Sequence, residues 1–200
     1  MKEIEFWFSI GSTYTYLSVT RLADVSQKSG VSFSWHPFSV RKIMREMDNI
    51  PFPPSKKVKV DYMWRDIQRR ATGYGFSANV PVPYPLKELD LANRVAVLAR
   101  QEGWCEKYAR ATYKYWFIDG HEAGSEVNLK QTLAEIGQDM SRVLELADSP
   151  SVKSEYINQT ENAKRIGIFG SPSFIVDGEL FWGDDRLDDA IAWASNDGKG

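Results

Sequence analysis

One cysteine and two histidines among 200 residues remove several kinds of chemistry at once. A lone thiol cannot close an internal disulfide, so neither oxidative stapling nor a two-cysteine redox cycle is open to this chain by itself. His36 and His121 stand in neither an HxxxH nor an HExxH spacing, so no metal site is expected. Charge of one sign is also scarce: the net charge is −2, which gives no electrostatic case for nucleic acid or an anionic membrane. No apolar run approaches the ~20 residues of a membrane span, and no basic-then-apolar segment marks an export signal. A cytoplasmic protein with no membrane partner is expected. Cys105 sits in Gly103-Trp104-Cys105-Glu106-Lys107-Tyr108, a helical pattern far from any histidine or glycine-rich loop, and reads as a small buried hydrophobe.

What is present is a core. Hydrophobic residues make up 42% of the chain and aromatics 13%, enough for one domain or one domain carrying an insertion. Residues 3–9 alternate and are aromatic-rich, a strand pattern; residues 12–28 follow with Tyr16, Leu17, Val19, Leu22, Ala23 and Val25 on one helical face, and Gly30 ends it. Val31-Ser32-Phe33-Ser34-Trp35 alternates again and Pro37 closes it. A strand, helix and strand at this spacing imply parallel pairing. From about 39 to 160 only helical runs are found, with helices predicted near 58–74, 87–102, 104–117, 126–136, 139–147 and 150–165. Two proline-rich loops, Asn49–Lys57 and Asn79–Pro85, interrupt them. Strand character returns in Ser173–Val176 and Glu179–Trp182 around an Asp177-Gly178 turn, and a last helix is predicted over 184–195, capped by Gly183 or Asp184, before a frayed tail. The predicted fold class is α/β. A β-α-β half (1–38) and a β-β-α half (166–200) form one layered domain, separated by an all-helical insertion (39–165).

Ser12 lies where the first strand pattern gives way to the first helix. A side chain there faces the first helical turn, whose unpaired N–H groups and positive dipole end favour an anion. Ser12 could also serve as a simple N-cap, and the two roles are compatible. Pro172, preceded by Gly170-Ser171 and followed by an apolar strand, could simply initiate that strand, but in this β-α-β…Pro-β-β-α order it resembles the cis-proline of the thioredoxin superfamily, and a cis X–Pro bond costs only about 0.5–1 kcal/mol. Within Met63–Ala71 the charges Arg65, Asp66, Arg69 and Arg70 read first as a solvated face with Asp66–Arg69 and Asp66–Arg70 pairs, over a core of Trp64 and Ile67. Otherwise one of these arginines meets a substrate carboxylate. Tyr84, Asn93 and Arg94 are further candidates to line an aromatic-acid pocket.

Three segments carry a resemblance: Phe-x-Phe-x-x-x-Ser-x-x-x-Tyr-Leu from Phe6, Met63–Ala71, and Gly167–Leu187, which contains Gly-Ser-Pro-Ser-Phe-Ile-Val-Asp-Gly and Trp-Gly-Asp-Asp-Arg-Leu. Together they resemble the 2-hydroxychromene-2-carboxylate isomerases, relatives of kappa-class glutathione transferases within the DsbA-like thioredoxin fold. The resemblance runs over essentially the whole chain. It implies glutathione as cofactor and Ser12 as the catalytic hydroxyl that donates to the glutathione sulfur and holds it as thiolate. It also implies glutathione-binding roles for Ser171 and Pro172, for Asp185 and Arg186 at the γ-glutamyl end, and for Asn49 with Lys56 or Lys57 at the glycyl end. The physics agrees, because a thiol of pKa ~8.5 moves toward neutrality at a helix N-terminus. The implied reaction interconverts 2-hydroxychromene-2-carboxylate and trans-o-hydroxybenzylidenepyruvate by thiolate addition, bond rotation and elimination. The implied partners are a small aromatic acid and, in the assembly, a second copy of the chain. The family usually has Ser-Pro where this chain has Ser12-Thr13, so Thr13 is expected to alter the thiolate geometry or share the role. The rival readings are a kappa-like transferase or peroxidase and a non-catalytic module that binds thiol peptides or a partner. Disulfide oxidoreductase activity is excluded by the missing cysteines at 12–15.

Overall fold

A computed structural model describes residues 2–49 and 54–195. The aromatic alternation near the start forms β1 (Glu3–Phe8), followed by α1 (Thr15–Ser29), which Gly30 closes in a left-handed conformation. β2 (Ser32–Pro37) pairs with β1 in parallel along its whole length, from Glu3 opposite Ser32 to Phe8 opposite Pro37. Near the other end, β3 (Ser173–Val176) and β4 (Glu179–Trp182) form the predicted hairpin. Asp177 and Gly178 both take positive φ, as a tight two-residue turn requires. β3 lies antiparallel to β1, giving the order β2-β1-β3-β4.

Between β2 and β3 run α2 (Val40–Glu46), α3 (Lys57–Gly73), α4 (Leu89–Gln101), α5 (Cys105–Phe117), α6 (Glu126–Glu135), α7 (Met140–Ala147) and α8 (Pro150–Arg165). After β4 come a 3-10 turn (Asp184–Arg186) and α9 (Leu187–Ser195). The α3–α8 positions match the predicted helices within about two residues. α2 is a short helix for which no separate prediction existed, and α1 begins three residues later than expected. Part of the first proline-rich loop (Ile50–Pro53) and the tail beyond Ser195 lie outside the described residues.

Strand alternation sorts the two faces of the sheet. Ile4, Phe6 and Phe8 of β1 point to one side, where they meet Phe174 and the apolar stripe Leu17, Val19 and Leu22 of α1. The same apolar interior continues into Val95 and Leu98 of α4 and Tyr113, Trp116 and Phe117 of α5, so the sheet and the helices share one core. Trp7 points the other way and packs with Phe38, Ile43, Ala163 and Ile175 beneath α2 and α8. His36 stacks on Trp7 with 4.5 Å between ring centres, and burial lowers its pKa to about 4. Cys105 is buried, its thiol facing the Ala96 carbonyl, and burial pushes its pKa up. No helix among the described residues is long and apolar enough to cross a membrane.

Candidate active site

The turn that joins β1 to α1 is fixed from beneath. Asn93, fully buried on α4, accepts from the Ile10 amide at 2.8 Å and donates to the Ile10 and Leu89 carbonyls at 2.9 and 2.8 Å. The Tyr113 hydroxyl lies 3.0 Å from the Ser12 carbonyl and 3.2 Å from that of Ser9. Gly11 takes φ +109, and a Cβ there would stand 2.6 Å from Leu89 Cδ1, so no other residue fits without displacing the leucine. The Ser12 amide closes the turn onto the Ser9 carbonyl at 3.0 Å.

This geometry answers what Ser12 does. Tyr14 occupies the cap position of α1 and makes no side-chain cap bond, so the Ser12 hydroxyl is not used as an N-cap. It donates instead to the carbonyl oxygen of Ser171 at 2.6 Å. The Ser171–Pro172 bond is cis, as the sequence predicts. The Ser171 hydroxyl is held by the Ser9 amide and by Thr15 Oγ1, each at 2.9 Å, and the Pro172 carbonyl accepts from the Gly183 amide at 2.9 Å. Gly170 lies so close to the Trp182 indole that a Cβ would collide with it. Thr13 does not share the role of Ser12: its hydroxyl is turned to Met63 Sδ, 3.2 Å away, and the residue is 5% exposed.

A cleft of about 500 Å³ opens above this turn and brings together Ser12, Asn49, Lys56 and Ser171. Of the two candidate lysines, Lys56 lines the cleft while Lys57 forms an i,i+4 pair with Asp61. An adjoining cleft of about 450 Å³ contains Ser171, Pro172, Asp185 and Arg186. Tyr14 and Trp182 also belong to both, so the two clefts run past the cis-proline as one groove. Asp185 and Arg186 pair with each other at 3.1 Å, and Arg186 also pairs with Asp189 at 2.7 Å, all at the surface.

Several contacts at the groove escaped the sequence reading. Asp184 is 2% exposed and meets the Arg70 guanidinium at 2.8 Å, replacing the expected Asp66–Arg70 pair. Burial pushes its pKa up to about 6 against the pull of Arg70. Asp66 keeps its pair with Arg69 and also accepts from the Tyr14 hydroxyl at 3.0 Å. Burial and this carboxylate raise the Tyr14 pKa, so it stays a neutral donor. The signal for Arg70 was its place at i, i+3, i+4 spacing with Met63, Ile67 and Tyr74, on the buried stripe of α3. Trp64 and Ile67 are in the core as predicted. Arg41 and Lys59 line the first cleft without having been singled out, and no local motif marked them.

The aromatic-acid candidates divide. Tyr84 lines the first cleft, its ring edge-on to Trp64 at 5.8 Å. Asn93 lies behind the turn, and Arg94 bonds to the Ala147 carbonyl and Asp148 at a separate cleft. A larger cleft, about 650 Å³ between α1, α5 and α6, carries none of the predicted site residues. Among the described residues no three His, Cys, Asp or Glu side chains are grouped to hold a metal ion.

A β-α-β half and a β-β-α half in one mixed sheet, with a cis-proline facing the start of the first helix, put this chain in the thioredoxin class. Residues 3–191 match the family model described as DSBA-like thioredoxin domain, and the chain belongs to that family. It is similar to a 2-hydroxychromene-2-carboxylate isomerase of Sphingobium xenophagum, 28% identical over 190 residues, which span 94% of this chain and 95% of the relative. It is also similar to glutathione S-transferase kappa 2 of Caenorhabditis elegans, 23% identical over 93% of this chain and 88% of that one. A solved structure of a 2-hydroxychromene-2-carboxylate isomerase superposes with a TM-score of 0.84 at 22% identity, over 99% of this chain and 100% of the other. The resemblance read from the sequence is borne out.

Proposed function

We propose that this chain is a glutathione-dependent isomerase that interconverts 2-hydroxychromene-2-carboxylate and trans-o-hydroxybenzylidenepyruvate. The observation that carries the reading is the Ser12 hydroxyl, 2.6 Å from the carbonyl that precedes cis-Pro172. It stands where a redox protein of this class needs a cysteine, and the chain's own thiol is buried elsewhere. The similarity to proteins named as isomerases and as a kappa transferase points the same way.

The residues present fit glutathione. Its backbone is an extended peptide, and Ser171 beside the cis bond offers main-chain groups to pair with it. Its γ-glutamyl end carries both signs of charge, matched by Asp184 and Asp185 with Arg70 and Arg186 in one cleft. Its glycyl carboxylate suits Lys56 and Asn49 in the other. Bound there, glutathione supplies a thiolate whose reversible addition to an enone turns a C=C bond single for long enough to rotate. On binding, the Ser12 hydroxyl turns its one proton from the Ser171 carbonyl to the sulfur and favours the charged form of the thiol. Tyr14, kept neutral by Asp66, adds a hydroxyl at the junction of the two clefts, while Trp182 and Tyr84 provide aromatic walls. The reading includes a cytoplasmic homodimer, as the resemblance implies.

The similarity to a kappa transferase favours one second reading, in which glutathione is consumed. A single assay separates the two. Purified protein is given o-hydroxybenzylidenepyruvate and a fixed, substoichiometric amount of glutathione. Isomerisation through many turnovers with the glutathione recovered intact supports the isomerase. Stoichiometric depletion supports transfer, and no calorimetric binding at millimolar glutathione removes both.

A further inference from the structure

Among the described residues, the first cleft contains a half-buried guanidinium that no carboxylate pairs. Arg41, in the first turn of α2, is half-buried, and its Nη1 donates to the Leu86 carbonyl at 3.3 Å. Among the described residues no carboxylate pairs with it. Cations around the cleft are occupied, Lys42 by Glu161 at 2.6 Å, Arg70 by Asp184 at 2.8 Å and Arg94 by Asp148 at 3.5 Å, while Lys56 and Lys59, which line it with Arg41, are exposed and remain fully hydrated. A partly desolvated guanidinium without an anion is costly unless a ligand supplies one. Its surroundings say which kind. Tyr84 lies close enough for the Arg41 charge to act on its hydroxyl, which has no hydrogen-bond partner among the described residues. Leu89, Met44, Phe169 and Trp182 add apolar and aromatic surface to that cleft.

We propose that Arg41, which shares the cleft with Tyr84, receives the carboxylate of the aromatic keto acid and so selects acids over their uncharged derivatives. The assignment rests on the isomerase reading for its substrate but on Arg41 alone for its charge. The planar guanidinium can take a carboxylate through two parallel hydrogen bonds, which a lysine cannot reproduce. The aromatic ring then lies toward Trp182 and Phe169, near Ser12. A neutral enone of the same shape forgoes the charged contact and binds through its ring alone.

The test compares wild type with Arg41→Met, which keeps the apolar stem, and Arg41→Lys, which keeps the charge. o-Hydroxybenzylidenepyruvate and its methyl ester are assayed with saturating glutathione, and 4-phenyl-2-oxobutanoate, which has no C=C bond to react, is titrated calorimetrically without glutathione. In Arg41→Met the acid-to-ester ratio of kcat/KM is expected to fall about 10- to 100-fold, chiefly through KM, with affinity for the saturated acid falling about tenfold or more. Arg41→Lys recovers part of both losses. A ratio within about threefold of wild type overturns the assignment, as does unchanged affinity for the saturated acid or a loss that falls on glutathione affinity instead. Should the saturated acid bind through Arg41 while glutathione neither binds nor supports turnover, the isomerase reading fails and the role of Arg41 stands. Thermal midpoints of both variants separate loss of binding from loss of fold.

Discussion

The two walls of the groove are built differently. On the wall made by the β1–α1 turn and the cis-proline loop, Ser9, Ser12, Thr15 and Ser171 bond to one another, with Asn93 and Tyr113 bracing them from behind. On the opposite wall, Asn49, Lys56 and Lys59 are exposed, and the one hydrogen bond of Arg41 among the described residues is a 3.3 Å contact to a carbonyl. The first wall holds atoms in fixed places, as bond-making chemistry requires. The second offers charge and surface at low structural cost, so it can change what is selected without disturbing the chemistry.

The sharpest way to break this comparison is Ser12→Ala. It is expected to lower turnover about 100- to 1000-fold, while glutathione affinity measured by calorimetry changes less than about tenfold. A loss of turnover under about tenfold would transfer the thiolate's stabilisation to the backbone and leave the braced wall without its chemical purpose. Next is Asn93→Ala, which strips partners from the buried Ile10 amide and from two carbonyls. It should cost about 2–4 kcal/mol in urea unfolding, with activity lost in proportion as the turn loosens. An unchanged urea midpoint would mean that the bracing is ornamental.

The smallest expected effect is electrostatic. Asp184 has a pKa near 6 in the folded chain against an ordinary 3.8, so between those values the folded state holds a proton that the unfolded state has lost. Its contribution to stability therefore declines as pH rises from about 4 to 6. His36 acts with the opposite sign: its pKa is lowered from 6.5 to about 4, so stability is lost as pH falls through that window. The two offset each other in the wild type. Asp184→Asn removes one side of the balance, and its urea midpoint should climb more steeply than wild type between about pH 4 and 6, by on the order of 1 kcal/mol. Parallel slopes would show that Asp184 is already ionised throughout and that Arg70 outweighs its burial.

Much of the fold was legible because strand alternation, the Asp177-Gly178 turn and the proline after Gly170-Ser171 are local signals. The braced wall was half legible. Ser12 and Pro172 stand in recognisable patterns, but Ser12 and Thr13, good cap residues by type, lie before α1, which begins at Thr15. In fact Gly11, at φ +109, swings the chain so that the Ser12 hydroxyl projects to the cis-proline loop and Thr13 turns inward. Asn93 braces the turn instead of lining a pocket, and nothing local in the sequence reveals that its amide reaches a turn 83 residues away. The second wall was the least legible. α2 buries only Val40 and Ile43, too little for a clear helical stripe, and Arg41 is defined by partners it lacks. In Met63–Ala71 the density of charge hid Arg70 on the inner face, where it meets Asp184.

The single sulfhydryl of this chain is walled in between α4 and α5. Alkylating reagents and oxidised tripeptide in the surrounding medium therefore reach it only when the helices part. Labelling at that position clocks the parting of α4 from α5.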